Sequence, residues 1–156
     1  MRLLSIVLLG IFFAGCSNYQ YKSYQTSVDP LKVTPLDLSS GHGTPAVVYF
    51  GSTSSSVLGL SYHGLLLATH VDDVQLENAG RTSLFGADGY QALKLRPGKH
   101  KIEYCWLNHG AILGEVQCNL NIFASFEDGK KYMVHWHTEH SVNKRYLRTY
   151  LREMTE

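Results

Sequence analysis

The sequence predicts a mainly β fold, a single antiparallel β-sandwich of immunoglobulin-like or transthyretin-like type. Three observations carry the expectation. Short runs rich in β-branched, aromatic and aliphatic residues recur at 46–50, 57–68, 90–95, 99–107, 116–126 and 131–138, each bounded by Gly, Pro, Asp or Asn. No helical pattern alternates with them, which argues against a parallel sheet with crossover helices. Arg96-Pro97-Gly98-Lys99 places Pro and Gly at the centre of a type II turn, and Glu127-Asp128-Gly129-Lys130 supplies the Asp-Gly of a tight hairpin, so antiparallel neighbours are expected on both sides of each turn.

Residues 1–15 read as an export signal. Met1 and Arg2 precede an apolar run over 3–13 broken only by Ser5 and Gly10, and the small residues Ala14 and Gly15 follow. Polar Ser17, Asn18 and Gln20 end the run before it reaches the roughly 17 to 25 apolar residues of a permanent membrane span. From Cys16 to residue 44 the chain is polar and turn-rich, with Tyr19, Tyr21, Tyr24, Pro30, Pro35 and Ser39-Ser40-Gly41-His42-Gly43, and is expected to be a flexible tether. Residues 45–156 are expected to hold the sandwich.

Within the sandwich, alternation assigns faces. Ile102, Tyr104 and Trp106 share one face and Lys101 and Glu103 the other; Val134 and Trp136 oppose His135 and His137. Cys105 and Cys118 are expected to form a disulfide, worth about 3 kcal/mol by loop closure, with a soft-metal or redox site as the alternative, disfavoured because the two lack C-x-x-C spacing. Their parities conflict, since Cys105 alternates with Lys101 and Glu103 while Cys118 alternates with Val116, Leu120 and Ile122, so a bulge or edge position beside one of them is required. Over 143–154, Tyr146, Leu147, Tyr150, Leu151 and Met154 fall on one stripe of a short amphipathic helix, with a final strand carrying Leu147, Thr149 and Leu151 as the rival.

Loss of Arg2 with the signal leaves 13 basic and 13 acidic residues, a neutral chain unsuited to nucleic acid, which needs clustered cations. The remaining 141 residues suffice for one domain that folds as a monomer.

Phe13-Ala14-Gly15-Cys16 resembles the lipobox of bacterial lipoproteins. The resemblance implies a diacylglycerol on the Cys16 sulfur, cleavage before Cys16, and a further acyl chain on its amine. Two or more chains anchor a protein stably to a bilayer. Ser17 in place of Asp resembles the pattern of outer-membrane lipoproteins, with the domain facing the periplasm. With Cys16 consumed, Cys105 and Cys118 are left to pair in that oxidising space. The stretches Leu93-Lys94-Leu95-Arg96-Pro97-Gly98-Lys99-His100-Lys101-Ile102-Glu103-Tyr104 and Ile122-Phe123-Ala124-Ser125-Phe126-Glu127-Asp128-Gly129-Lys130-Lys131-Tyr132 resemble the Pro-Gly-x-His hairpin and the closing Gly-Lys-x-Tyr unit of small bacterial envelope lipoproteins with one β domain. That class supplies no catalytic residues.

Chemistry is concentrated in His135-Trp136-His137-Thr138-Glu139-His140. On a strand, His135, His137 and Glu139 project together, with Met133 below and His140 beyond, a partial site for Zn²⁺ or Cu²⁺. The rival reading is the polar outer face of an edge strand over Trp136. His42, His63, His70, His100 and His109 lack ligand spacing. Gly51-Ser52-Thr53-Ser54-Ser55-Ser56 has neither a phosphate-loop ending nor a nucleophile elbow and reads as a flexible connection. Adjacent Asp72 and Asp73 read as a turn. The expected function is therefore a non-enzymatic, membrane-anchored module that binds or scaffolds an envelope partner, with a metal-binding lipoprotein using His135, His137 and His140 as the alternative and a hydrolase third.

Overall fold

The alternation along each apolar run is realised as two sheets packed face to face. The computed structural model describes residues 29–41, 43–57, 60–84, 86–109, 114–141 and 144–155. The expected signal, Cys16, the start of the tether and His42 lie outside the described residues. Strands in chain order are β1 (Leu36–Asp37), β2 (Ala46–Phe50), β3 (Ser52–Val57), β4 (Leu60–Val71), β5 (Val74–Gln75), β6 (Gly80–Arg81), β7 (Ala87–Asp88), β8 (Ala92–Leu95), β9 (Gly98–His109), β10 (Gly114–Phe126), β11 (Lys131–Ser141) and β12 (Lys144–Glu153). One sheet has the order β1-β8-β2-β11-β12, and the other β10-β9-β4-β3 with β5 beside β4. β6 and β7 form a separate ribbon. The second sheet is antiparallel throughout, whereas β1 runs parallel to β8, and β2 parallel to β11.

Gly51 is where the chain passes from one sheet to the other. Its N–H donates to Val134 O at 2.9 Å, and its carbonyl accepts from Leu66 N–H at 3.1 Å, so one residue is hydrogen-bonded into both sheets. A Cβ here would lie 2.9 Å from the Val134 carbonyl oxygen, an approach only glycine permits.

Inner-face residues build the core by period-two alternation. β2 gives Ala46, Val48 and Phe50; β4 gives Leu66 and Ala68; β9 gives Ile102, Tyr104 and Trp106; β11 gives Tyr132 and Val134. Rings interlock across the gap, with Phe126 edge-on to Tyr132 at 5.1 Å and Trp106 edge-on to Trp136 at 5.5 Å. A smaller cluster of Leu67, Cys105, Leu107 and Val116 is closed by Ala87 of β7. In pairing, Leu67 lies opposite Cys105, one residue out of step with core-facing Leu66 and Trp106.

Cys105 and Cys118 are bonded across β9 and β10, with Cα atoms 4.0 Å apart. The parity conflict is resolved by a bulge. Gln117 pairs with Trp106 and Leu120 with Tyr104, so Cys118 and Asn119 together oppose Cys105. Asn119 takes the extra residue in the left-handed region, at φ 63°.

Four expectations are corrected. The helix over 143–154 is strand β12, in unbroken antiparallel register with β11 from Tyr132↔Glu153 to Ser141↔Lys144. The Leu147, Thr149 and Leu151 alternation outweighs the helical stripe because β11 offers a full-length partner. The Pro97-Gly98 and Asp128-Gly129 turns do not close hairpins. Each carries the chain between sheets, from β8 to β9 and from β10 to β11, since a tight turn specifies reversal and not the neighbour. Gly51-Ser56 is not a flexible connection, because Ser52–Val57 pairs along β4. The described part of the segment expected as a flexible tether over 16–44 is packed: Val33 is buried, Leu36 and Leu38 pack against the core, and β1 pairs with β8, so burial of those apolar side chains orders it.

Candidate functional site

β11 and β12 present a chemically mixed outer face. Pairing sets His135 opposite Tyr150, His137 opposite Arg148 and Met133 opposite Arg152, all on the side away from core-facing Trp136 and Val134. The His135 ring stacks on Tyr150 with centroids 5.2 Å apart and planes 20° apart. His137 Nε2 meets Glu139 Oε1 at 3.2 Å, and Arg148 Nε donates to Glu139 Oε2 at 2.8 Å. The Arg148 guanidinium, and then the His137 ring, hold the Glu139 carboxyl below the usual carboxylate range. Tyr146 and Tyr150 are half exposed, at 50% and 49%.

His135, His137 and Glu139 therefore share a face as the alternation implies, but each is engaged in other contacts. Both Glu139 oxygens are bound, and His135 lies against a phenol. The His140 side chain lies outside the described residues. No group of three His, Cys, Asp or Glu is placed to hold a metal among the described residues. A cation coordinated through Glu139 would first have to displace Arg148 from it.

Sequence reasoning overlooked the β12 half of this face. Its signal is the same period of two that marked the histidines: Tyr146, Arg148, Tyr150 and Arg152 alternate with Leu147, Thr149 and Leu151.

A second polar cluster lies where the β4–β5 turn meets the start of β9. Asp72 and Asp73 both have positive φ, 51° and 64°, the conformation of a two-residue type I′ hairpin. Asp72 Oδ1 accepts the Lys101 N–H at 3.0 Å, and Asp72 Oδ2 lies 2.7 Å from His100 Nδ1. Partial burial opposes ionisation of Asp72, but the Lys101 amide and the His100 ring outweigh it and hold its carboxyl below the usual range. Lys101 Nζ reaches Asp73 Oδ1 and Glu103 Oε1, both at 2.7 Å, and these carboxylates raise the pKa of the ammonium. Asp72 and His100 have the arrangement of the orienting acid and the base of a catalytic triad. The nitrogen that would face a nucleophile, Nε2, instead donates to Arg96 O at 2.8 Å. The cluster ties a turn to a strand.

No family model matches this sequence, and neither a curated protein nor a solved structure is significantly similar to it.

Proposed function

We propose that this chain is a lipoprotein of the bacterial envelope, lipidated at Cys16 and tethered to the outer membrane on its periplasmic side, whose β-sandwich is a non-enzymatic binding or scaffolding module for an envelope partner. The observation that carries the reading is the outer face of β11 and β12, where half-exposed Tyr146 and Tyr150 alternate with Arg148 beside His135 and His137. Tyr and Arg are the residues enriched where proteins dock, because each adds a large contact area with a polar tip.

Two measurements test the reading. Intact mass of the mature product should begin at Cys16 and exceed the polypeptide by its acyl chains; a product that starts elsewhere, or has the bare mass, removes the anchor. Crosslinking in intact cells followed by mass spectrometry should recover one envelope protein, and the yield should fall when Tyr146 and Tyr150 are both replaced by Ser. An unchanged set of crosslinked proteins after that replacement overturns the module.

A metal-binding role is the second reading, favoured by the shared face of His135 and His137. Calorimetric titration of the protein with Zn²⁺ and with Cu²⁺ decides it. Because His135 and His137 supply only two ligands on that face and Glu139 is bound by Arg148, the expected result is no binding tighter than about millimolar, near the weak end of the affinity scale. Micromolar binding lost in His135→Ala and His137→Ala would establish the metal reading instead.

A further inference from the structure

Sheet edges invite pairing with other chains unless something blunts them. The two described sheets end in β1, β12, β10 and β3. β1 has two residues, β3 has six, and β10 is interrupted by the bulge at Cys118 and Asn119. β12 is ten residues long, and its register against β11 is unbroken. Met154 N–H donates to Lys131 O, so by the alternation of an antiparallel ladder Leu147, Thr149 and Leu151 turn their backbone N–H and C=O groups to the open side.

The residues along that edge are close to self-complementary. If a second copy of β12 is laid antiparallel with Thr149 on the twofold axis, position 148 faces 150, 147 faces 151, 146 faces 152 and 145 faces 153. Arg148 then meets Tyr150, Leu147 meets Leu151, Tyr146 meets Arg152, and the basic position 145 meets acidic Glu153. Arg over an aromatic ring is attractive, and paired leucines would continue the apolar side on which Leu147 and Leu151 already pack against the core. Both neighbouring registers that keep matching faces fail. Centring on Arg148 sets that residue against itself and Arg152 against Lys144; centring on Tyr150 sets Arg148 against Arg152 twice. Like charges directly opposite each other are destabilising.

We propose that two copies of this chain associate through β12, antiparallel and centred on Thr149, joining their first sheets into one continuous sheet through about ten backbone hydrogen bonds. A monomer, expected from chain length, leaves this edge unused. The dimer needs neither the lipid anchor nor the envelope partner, so its failure leaves the proposed function standing.

Site-directed crosslinking of the full chain under copper phenanthroline reads the register directly. Cβ atoms of directly opposed residues lie about 4.5 to 5.5 Å apart, within reach of a disulfide after small adjustment. Thr149→Cys should give a dimer band on a non-reducing gel. Arg148→Cys and Tyr150→Cys should each stay monomeric alone and crosslink when mixed, at about tenfold or greater yield over either alone, corresponding to a 1.4 kcal/mol preference for this register. The unsubstituted chain supplies the background from Cys16. Because Thr149 Oγ1 also bonds Tyr104 O–H, the mixed pair at two exposed positions decides the matter if Thr149→Cys folds poorly. No heterodisulfide in the mixture, or self-crosslinking of Arg148→Cys equal to the mixture, overturns the proposal.

Discussion

Gly64 of β4 faces Trp136 of β11 across the sandwich, and replacing it with Ala tests whether that contact holds the sheets at their observed spacing. A Cβ built on Gly64 lies 2.7 Å from Cη2 of the indole, closer still to Cζ2, and 3.0 Å from Thr53 Oγ1. Ordinary carbon contacts lie at about 3.5 to 4.0 Å, so the indole would have to withdraw by about 1 Å. Its movement is restricted, because it also packs edge-on against Trp106 at 5.5 Å. Overpacking of this kind costs about 1 to 3 kcal/mol. For a domain of this length the melting temperature should fall by about 3 to 10 °C. Thermal unfolding followed by far-ultraviolet circular dichroism gives the loss. The near-ultraviolet signal reports the indole pair, since Trp106 and Trp136 are the only two tryptophans in the chain. The decisive arm is a double-mutant cycle with Trp136→Leu. Without the indole, Gly64→Ala should be neutral or slightly stabilising, because Ala loses less backbone entropy than Gly in a strand. Losses that add to within about 0.5 kcal/mol would show that the two sites do not touch, and the packing account would fail.

Three further outcomes follow. Replacing Cys105 and Cys118 together with Ala removes a link of sequence separation 13 and should lower unfolding stability by about 3 kcal/mol in denaturant titration; a loss under about 1 kcal/mol would mean that the unfolded chain is already constrained there. Asp72 is held below the usual carboxylate range when folded, so its stabilisation is complete above its ordinary value of 3.8 and is lost as pH falls through the lower folded value. Asp72→Asn should therefore lower the melting temperature at neutral pH and flatten its decline in acid; a parallel decline in both proteins would refute the linkage. Gly51→Ala should destabilise the fold more than Gly129→Ala, whose cost comes from its left-handed φ of 68° with Thr44 no nearer than 3.5 Å, because at Gly51 the added Cβ meets a backbone carbonyl at 2.9 Å; a smaller loss for Gly51→Ala in calorimetric unfolding would count against the pivot.

Local pattern was readable in the sequence, and long-range pairing was not. Ala46–Phe50 is a strand because it is a short run of apolar, β-favouring residues whose ends are marked by Pro45 and Gly51, both local signals. The Cys105 and Cys118 parity conflict implied a bulge because period two is a geometric constraint that a disulfide cannot violate. The parallel pairing of β2 with β11 joins segments about half the chain apart, and nothing local in either encodes the other. Pro97-Gly98 and Asp128-Gly129 specify reversal, but which strands become neighbours depends on how the whole sandwich closes. The segment Val33 to Leu38 reads as tether because the stretch around it is polar and turn-rich with no sustained apolar period; its spaced Val33, Leu36 and Leu38 are the signal that it packs. In the candidate site, the histidine face was readable from β11 alone. The Tyr and Arg half became visible only once 144–153 was a strand, since on a helix Tyr146 and Arg148 would not share a face.

Under the two proposals, β12 would have two roles whose chemistry differs by side. Its backbone edge lies in the plane of the sheet, and its Tyr146, Arg148 and Tyr150 side chains stand on the outer face. Under the proposed dimer the edge is consumed, and the outer face is doubled into one surface carrying two Tyr and Arg ladders side by side. A partner with a repeated or extended feature would then meet both copies at once, and linked sites raise avidity without any new contact. With Cys16 lipidated as proposed, the same geometry would place two lipid anchors on one assembly. The 13 residues from Cys16 to Asp29 span at most roughly 45 Å, so both anchors could reach a single bilayer. A module built this way would combine weak individual contacts into stable attachment, and loss of the β12 pairing should weaken partner crosslinking even when every residue of the outer face is intact.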